Sequence, residues 1–182
     1  DYGFYKVKRL EGFLFPDTYR VNPSYIEEDI IKMFISNFLN KIVPYSLDIG
    51  IGIDTLMIIA SIIEAETENE NEMKKISSLY HNRIREDRPL DSDPTFSYLT
   101  NRKMRSKDKR SLDPYNTYDK INNKLRLPPT PINSPGLKAI EASIYPEATD
   151  YFFMYSPDAV NYHIFTKTYS EHKRVIDSIK KN

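Results

Sequence analysis

Hydrophobic and polar positions along this chain follow the helical period over most of its length. The pattern breaks at residues 56–63, Leu-Met-Ile-Ile-Ala-Ser-Ile-Ile, where Ser61 is the single polar residue. A helix lying on a surface shows an apolar stripe, so a run apolar on nearly every side predicts a buried helix, here over 54–67 with Asp54 or Thr55 as N-cap. At eight to ten residues the run is too short to cross a membrane. Before it, Ser24 and Glu27 form a capping-box pattern that predicts a helix to about Lys41, with Ile26, Ile30, Met33, Phe34 and Phe38 on one face and Pro44 marking its end. After it, Met73, Ile76, Leu79, Tyr80 and Ile84 predict a helix over 71–86. Asp93-Pro94 reads as an N-cap and first-turn proline opening a short helix at 94–100. Ser134 caps a predicted helix over 135–145, with Leu137, Ile140 and Ile144 inward. Residues 151–156 and 162–166 read as a β-hairpin, and Ser170 opens a last helix with Val175, Ile176 and Ile179. At the start, alternation around Phe4 to Lys8 suggests a strand leading into an aromatic cluster punctuated by Gly12 and Pro16-Asp17. The sum is an α+β fold: a helical core around a buried helix, with a small β-sheet or hairpin.

Composition narrows the classes. The 182 residues are 40% hydrophobic and 13% aromatic, enough for a folded core. Lys+Arg and Asp+Glu each number 26, so no net field favours nucleic acid or an anionic membrane. The basic residues Arg102, Lys103, Arg105, Lys107, Lys109 and Arg110 lack aromatic interleaving and read as an exposed loop. The chain has no cysteine, which excludes disulfides and thiolate metal sites. His81, His163 and His172 show no metal-ligand spacing, and neither a Gly-rich phosphate loop nor a Gly-x-Ser-x-Gly elbow occurs. No cofactor or metal is expected. Because the chain begins at Asp1, it reads as an excised piece, with any anchor upstream.

The candidate chemistry sits where the buried helix ends, at Glu64 and Glu66. A carboxylate at the edge of a dry core is costly, and desolvation raises its pKa into the range useful for a general acid. The plainer reading is that the helix surfaces there and both side chains are solvated. Two residues apart on a helix they diverge by roughly 200°, so they do not form the paired acid and nucleophile of a glycosidase. Tyr115-Asn116-Thr117-Tyr118 mixes rings with hydrogen-bonding groups, as carbohydrate sites do, and the proline-fixed segment 127–136 suits a groove wall.

In order along the chain, residues 10–19 (Leu-Glu-Gly-Phe-Leu-Phe-Pro-Asp-Thr-Tyr), Ala60 to Thr67, Asn82-Arg83-Ile84-Arg85, Asp93-Pro94-Thr95, Tyr115 to Tyr118, Leu127-Pro128-Pro129 through Pro135-Gly136, and His163-Ile164-Phe165 form a set. This set resembles the MltG (YceG-like) family of endolytic murein transglycosylases over nearly the whole chain. The resemblance implies residues 1–21 as the remnant of an N-terminal LysM-like subdomain and 22–182 as the catalytic domain. It further implies a membrane-anchored enzyme on the extracytoplasmic face of a bacterial membrane. Such an enzyme cuts nascent peptidoglycan glycan strands between N-acetylmuramic acid and N-acetylglucosamine and leaves 1,6-anhydro ends. Peptidoglycan and cell-wall synthases are the implied partners, and nucleic acid is not. The second acid of the family's Glu-x-Glu-Thr motif lands on Glu66 as the catalytic residue; Glu64, Asn82, Arg83, Asp93, Thr95, Asn116 and Tyr118 are the candidate substrate-binding residues. The family's usual glycine after the Pro-Pro pair is Thr130 here. Two alternatives stay open: a muramidase-type hydrolase using Asp93 as second carboxylate, and a non-catalytic peptidoglycan-binding module.

Overall fold

The computed structural model of the protein describes residues 10–46, 52–102, 109, 113–118, 125–157 and 162–181. Within them the elements run α1 (Glu27–Ser46), α2 (Ile53–Glu66), α3 (Glu70–Arg85), α4 (Asp93–Thr100), α5 (Leu137–Ile144), β1 (Phe153–Tyr155), β2 (Ile164–Thr166) and α6 (Tyr169–Ile179). The α+β expectation holds, with the helices dominant and the sheet reduced to one antiparallel pair, Met154 opposite Phe165. The expected strand at Phe4 to Lys8, most of the basic run and residues 158–161 of the hairpin turn lie outside the described residues.

α2 is the buried helix its composition demands: every residue from Leu56 to Ile63 is buried, Ser61 included. Its two sides enter different clusters. Ile58, Ile59, Ile62 and Ile63 meet Met73, Ile76, Leu79 and Tyr80 of α3, with Ala139 and Ala142 of α5. Leu56, Met57 and Ala60 meet Phe38 and Ile42 of α1, Ile140 and Ile144 of α5, and Phe13 and Phe15 from the N-terminal segment. Burial of this kind is worth about 1.5–3 kcal/mol per large side chain, which is why α2 needs no amphipathic stripe. Ser61 also has a structural task. Its hydroxyl donates to Ile58 O at 2.8 Å and accepts from Ile132 N at 3.0 Å, while its carbonyl accepts from Asn133 Nδ2 at 2.9 Å. The proline-rich segment is thereby pinned to α2.

The helix starts depart from the expected caps, and at Ser24 and Ser134 the hydroxyl has another partner. α2 starts from Gly52, leaving Asp54 in its first turn. Ser24 bonds Asn22 Oδ1 at 2.9 Å, and Asp29 instead accepts from the Ile26 N–H at 3.2 Å. Pro44 lies inside α1, and Ile26 is exposed rather than core. Ser134 accepts from Gly12 N at 3.1 Å, so Gly136 is the N-cap of α5. The last helix is capped by Thr168, in a capping box with Glu171, rather than opened by Ser170.

Gly12 shows why the N-terminal segment lies where it does. Its φ is +91°, and a Cβ there would come within 2.4 Å of Pro131 Cγ. Both the left-handed backbone and the close approach require glycine. Gly12→Ala is therefore expected to cost about 2–4 kcal/mol, lowering the thermal midpoint by roughly 10 °C for a chain of this size. Calorimetry of the variant would check this, and an unchanged midpoint would show that the Gly12–Pro131 contact is dispensable.

Candidate active site

Glu66 is the last residue of α2. Thr67 takes extended geometry (φ −154°, ψ 143°) and stops the helix, while its hydroxyl accepts from Asn69 N at 3.0 Å. Asn69 in turn caps α3 through Asn71 N. The tight connection leaves the Glu66 carboxyl half-buried beside α3, at the negative end of its own helix dipole. Its Oε1 accepts the Tyr80 hydroxyl at 2.5 Å and the Ser92 hydroxyl at 2.8 Å.

Burial raises the Glu66 pKa above the ordinary carboxylate value; the hydroxyls of Tyr80 and Ser92 act the other way, as does the charge of His163, while Asp93 pushes it further up. Desolvation dominates, so the group is held towards its protonated form. Burial and the neighbouring Glu66 also push the Tyr80 phenol well up, which keeps it a donor. Glu64 is raised by burial too, but it takes the backbone N–H of Gly136 at the start of α5 rather than meeting Glu66. The divergence expected of two helical residues two apart is what the structure shows.

The two loops beyond α3 are locked to each other beside this carboxyl. Asp91 N donates to Thr117 O at 3.2 Å, Ser92 N to Thr117 Oγ1 at 3.0 Å, and Tyr118 Oη to Asp93 Oδ1 at 2.6 Å. The Thr95 hydroxyl, fully buried, donates to Ser92 O at 2.8 Å. Ser92, not Asp93, is the N-cap of α4, and Asp93 falls in its first turn. Asn116 is buried, accepting from Tyr118 N at 3.1 Å and reaching Lys109 O at 3.4 Å. Thr130 bonds the Tyr115 hydroxyl at 2.7 Å and so joins the proline segment to the same loops.

Asn82 and Arg83 are buried and spend their donors on backbone. Asn82 Nδ2 bonds Thr149 O and Tyr151 O, each at 3.0 Å. Arg83 donates to Phe152 O at 2.8 Å, Pro89 O at 3.3 Å and Leu90 O, and pairs with Asp91 at 3.3 Å. These two residues hold the hairpin approach and the 89–91 loop onto α3.

Two open cavities flank the Asp93–Tyr118 bond. One, about 790 Å³, is lined by Tyr118, Arg83, Arg88, Lys109, Phe153 and His172 among others. The other, about 640 Å³ and more apolar, is lined by Ala65, Asp93, Pro94, Ser97, Tyr98, Ile132 and Asn133. Tyr80, Ser92 and His163 are the site residues that sequence reasoning missed. Tyr80 carries the signature of a core face and Ser92 that of a cap. His163 is bonded to Glu72 at 2.8 and 3.0 Å, and the only sign of it was its place in the His163-Ile164-Phe165 segment. Among the described residues no cluster of His, Asp and Glu could hold a metal ion, and no helix is long and apolar enough to cross a membrane.

A partly buried carboxyl with a raised pKa, bonded by two hydroxyls and neighboured by the loops that carry Asp93 and Tyr118, is the candidate acid of this site. The sequence model of the YceG-like family matches residues 2–178, and the chain belongs to that family. It is 34% identical over 172 residues to the endolytic murein transglycosylase of Bacillus subtilis, covering 91% of this chain and 46% of that protein. It is 31% identical over 153 residues to the endolytic murein transglycosylase of Streptococcus pneumoniae D39, covering 78% of this chain and 27% of that protein. A crystal structure titled as a putative YceG-like protein from Listeria monocytogenes superposes with a TM-score of 0.81 at 30% identity, over 93% of this chain and 56% of that one. The chain thus spans about half, or less, of the length of these relatives.

Proposed function

We propose that this chain is the catalytic region of an endolytic peptidoglycan lytic transglycosylase with Glu66 as its single acid and then base. The observation that carries the reading is the Glu66 carboxyl, its pKa raised by desolvation while it stays partly accessible at the end of α2, bonded by Tyr80 and Ser92. In the first step Glu66 gives its proton to the glycosidic oxygen linking N-acetylmuramic acid to N-acetylglucosamine, and the C1–O bond breaks. In the second, the Glu66 carboxylate removes the proton of the muramic C6 hydroxyl, whose oxygen closes on C1. The product is a 1,6-anhydro end, and the acid is restored. Attack from within the same sugar removes the need for a placed water and a second carboxylate.

Asp93 and Tyr118 border the cavities and are the candidates for touching sugar hydroxyls. Glu64, Asn82, Arg83, Thr95 and Asn116 serve the groove by what they hold: Gly136, the hairpin approach, the 89–91 loop, Ser92 and Tyr118. No cofactor is required. On this reading the substrate is a nascent glycan strand at the extracytoplasmic face of the membrane. The protein would be anchored there through a segment outside the sequence described here, next to cell-wall synthases, with residues 1–21 as the end of a LysM-like subdomain.

One observation bears on the hydrolase alternative: the charge of Asp93 acts on Glu66, so a second carboxylate is near. Its Oδ1, however, is taken by Tyr118. Mass spectrometry of fragments released from purified peptidoglycan separates the two. Transglycosylation gives ends lighter by one water than the reducing ends of hydrolysis, and reducing ends would overturn the proposal. Binding without any release would leave the non-catalytic module as the better account.

A further inference from the structure

The two oxygens of the Glu66 carboxyl are treated differently. Oε1 accepts two hydroxyls, from Tyr80 at 2.5 Å and Ser92 at 2.8 Å, and among the described residues nothing bonds Oε2. An sp² oxygen has two lone pairs, and one that already accepts two O–H donors has no place for a proton. From this geometry we infer that Tyr80 and Ser92 are positioning residues that fix the transferable proton of Glu66 on Oε2 and hold that oxygen toward the scissile bond. The inference rests on the reading of Glu66 as the acid and base.

Both donors are themselves fixed. Tyr80 is 1% exposed and belongs to the core cluster built on α2 and α3, so its hydroxyl has little freedom. Ser92 is fully buried at the start of α4, where a serine ordinarily accepts from the helix's own N–H groups. Here it makes no such cap bond, and its side chain is turned so that the hydroxyl donates to Glu66. Its backbone is held on both sides, the N–H by Thr117 and the carbonyl by Thr95. A serine that gives up its cap bond to reach one carboxyl oxygen points to a role at that oxygen. In the reaction the proton leaves Oε2 for the glycosidic oxygen as the C1–O bond breaks. The negative charge is then shared with Oε1, where the two hydroxyls stabilise it. The C6 hydroxyl proton afterwards arrives on Oε2 as the O6–C1 bond forms. The same oxygen acts in both steps, so the side chain need not turn between them.

The test is the pH dependence of cleavage by wild type, Tyr80→Phe, Ser92→Ala and Ser92→Thr, with Glu66→Gln in parallel. Donors to a carboxylate favour its ionised form, so losing one raises the Glu66 pKa. Tyr80→Phe and Ser92→Ala should each lower kcat by about ten- to hundredfold at the wild-type optimum. Each should also move the alkaline limb of the profile upward by about one pH unit. Ser92→Thr, which keeps the hydroxyl, should retain the wild-type limb. A uniform fall at every pH, or Ser92→Thr behaving like Ser92→Ala, would overturn the inference. Should Tyr80→Phe fold poorly, Ser92→Ala decides alone, since alanine is compatible with the start of α4 and fills no space. Infrared difference spectra of wild type minus Glu66→Gln give a readout independent of turnover. The protonated carboxyl stretch should lie low in wild type and rise in Ser92→Ala; an unmoved band contradicts the inference. Wild-type rates from Glu66→Gln would instead remove the acid assignment itself.

Discussion

On the proposed mechanism, Glu66→Gln is expected to cleave glycan strands about a thousandfold more slowly than wild type, the usual size of a lost general acid. The amide keeps the shape and still offers an oxygen to Tyr80 and Ser92, so the fold survives. A second signature goes with the first. The folded-state pKa of Glu66 is raised above its ordinary value of 4.5, so the folded protein binds this proton more tightly than the unfolded chain. The associated stability is fully present below pH 4.5 and is lost as pH rises through the folded pKa. Glutamine does not titrate. The thermal midpoint of Glu66→Gln relative to wild type should therefore climb as pH rises from 4.5 toward neutrality. Calorimetry across that range checks the sign, and a constant difference would mean that Glu66 is solvated and unremarkable.

The largest stability effect is expected at Arg83. Its buried guanidinium serves three carbonyls and Asp91, joining α3 to the 89–91 loop and to Phe152 before β1. Arg83→Met fits the stem but leaves those acceptors and a carboxylate without their donor, which costs about 3–5 kcal/mol. For a chain of this length that is a fall of roughly 10 °C or more in the midpoint. Arg83→Lys should recover little, because one ammonium cannot span the same acceptors. A groove-contacting arginine would give the opposite result, with wild-type stability and weakened glycan binding. Thermal unfolding together with binding of undigested strands tells the two apart.

The framework was readable from the chain where burial leaves a pattern. Residues 56–63 admit no exposed face, and α2 is buried throughout; Met73, Ile76, Leu79 and Tyr80 mark the packed face of α3. Glu66 stood out as a candidate acid because it ends an apolar run, and the structure gives its carboxyl partial burial and a raised pKa. Helix starts were less legible, because partners outside the helix orient these side chains: Ser134 accepts from Gly12 N, Ser24 donates to Asn22 and Ser92 donates to Glu66. The donors around Glu66 escaped because they are remote in sequence: Ser92 lies 26 residues away, just before the Asp93-Pro94 pair read as the helix start, and Tyr80 lies 14 away and looks like core. Asn82 and Arg83 read as polar groups for a cleft, but their partners are carbonyls some 70 residues later or in the next loop, which no local spacing reveals.

If one carboxyl directs attack by the sugar's own hydroxyl, digestion of peptidoglycan in heavy-oxygen water should leave no label in the products. Fragments should end in anhydromuramic residues that carry no solvent oxygen, and Glu66→Gln should form none. Incorporation of one labelled oxygen at each new end would show that water is the nucleophile, and would replace the single-carboxyl mechanism with hydrolysis.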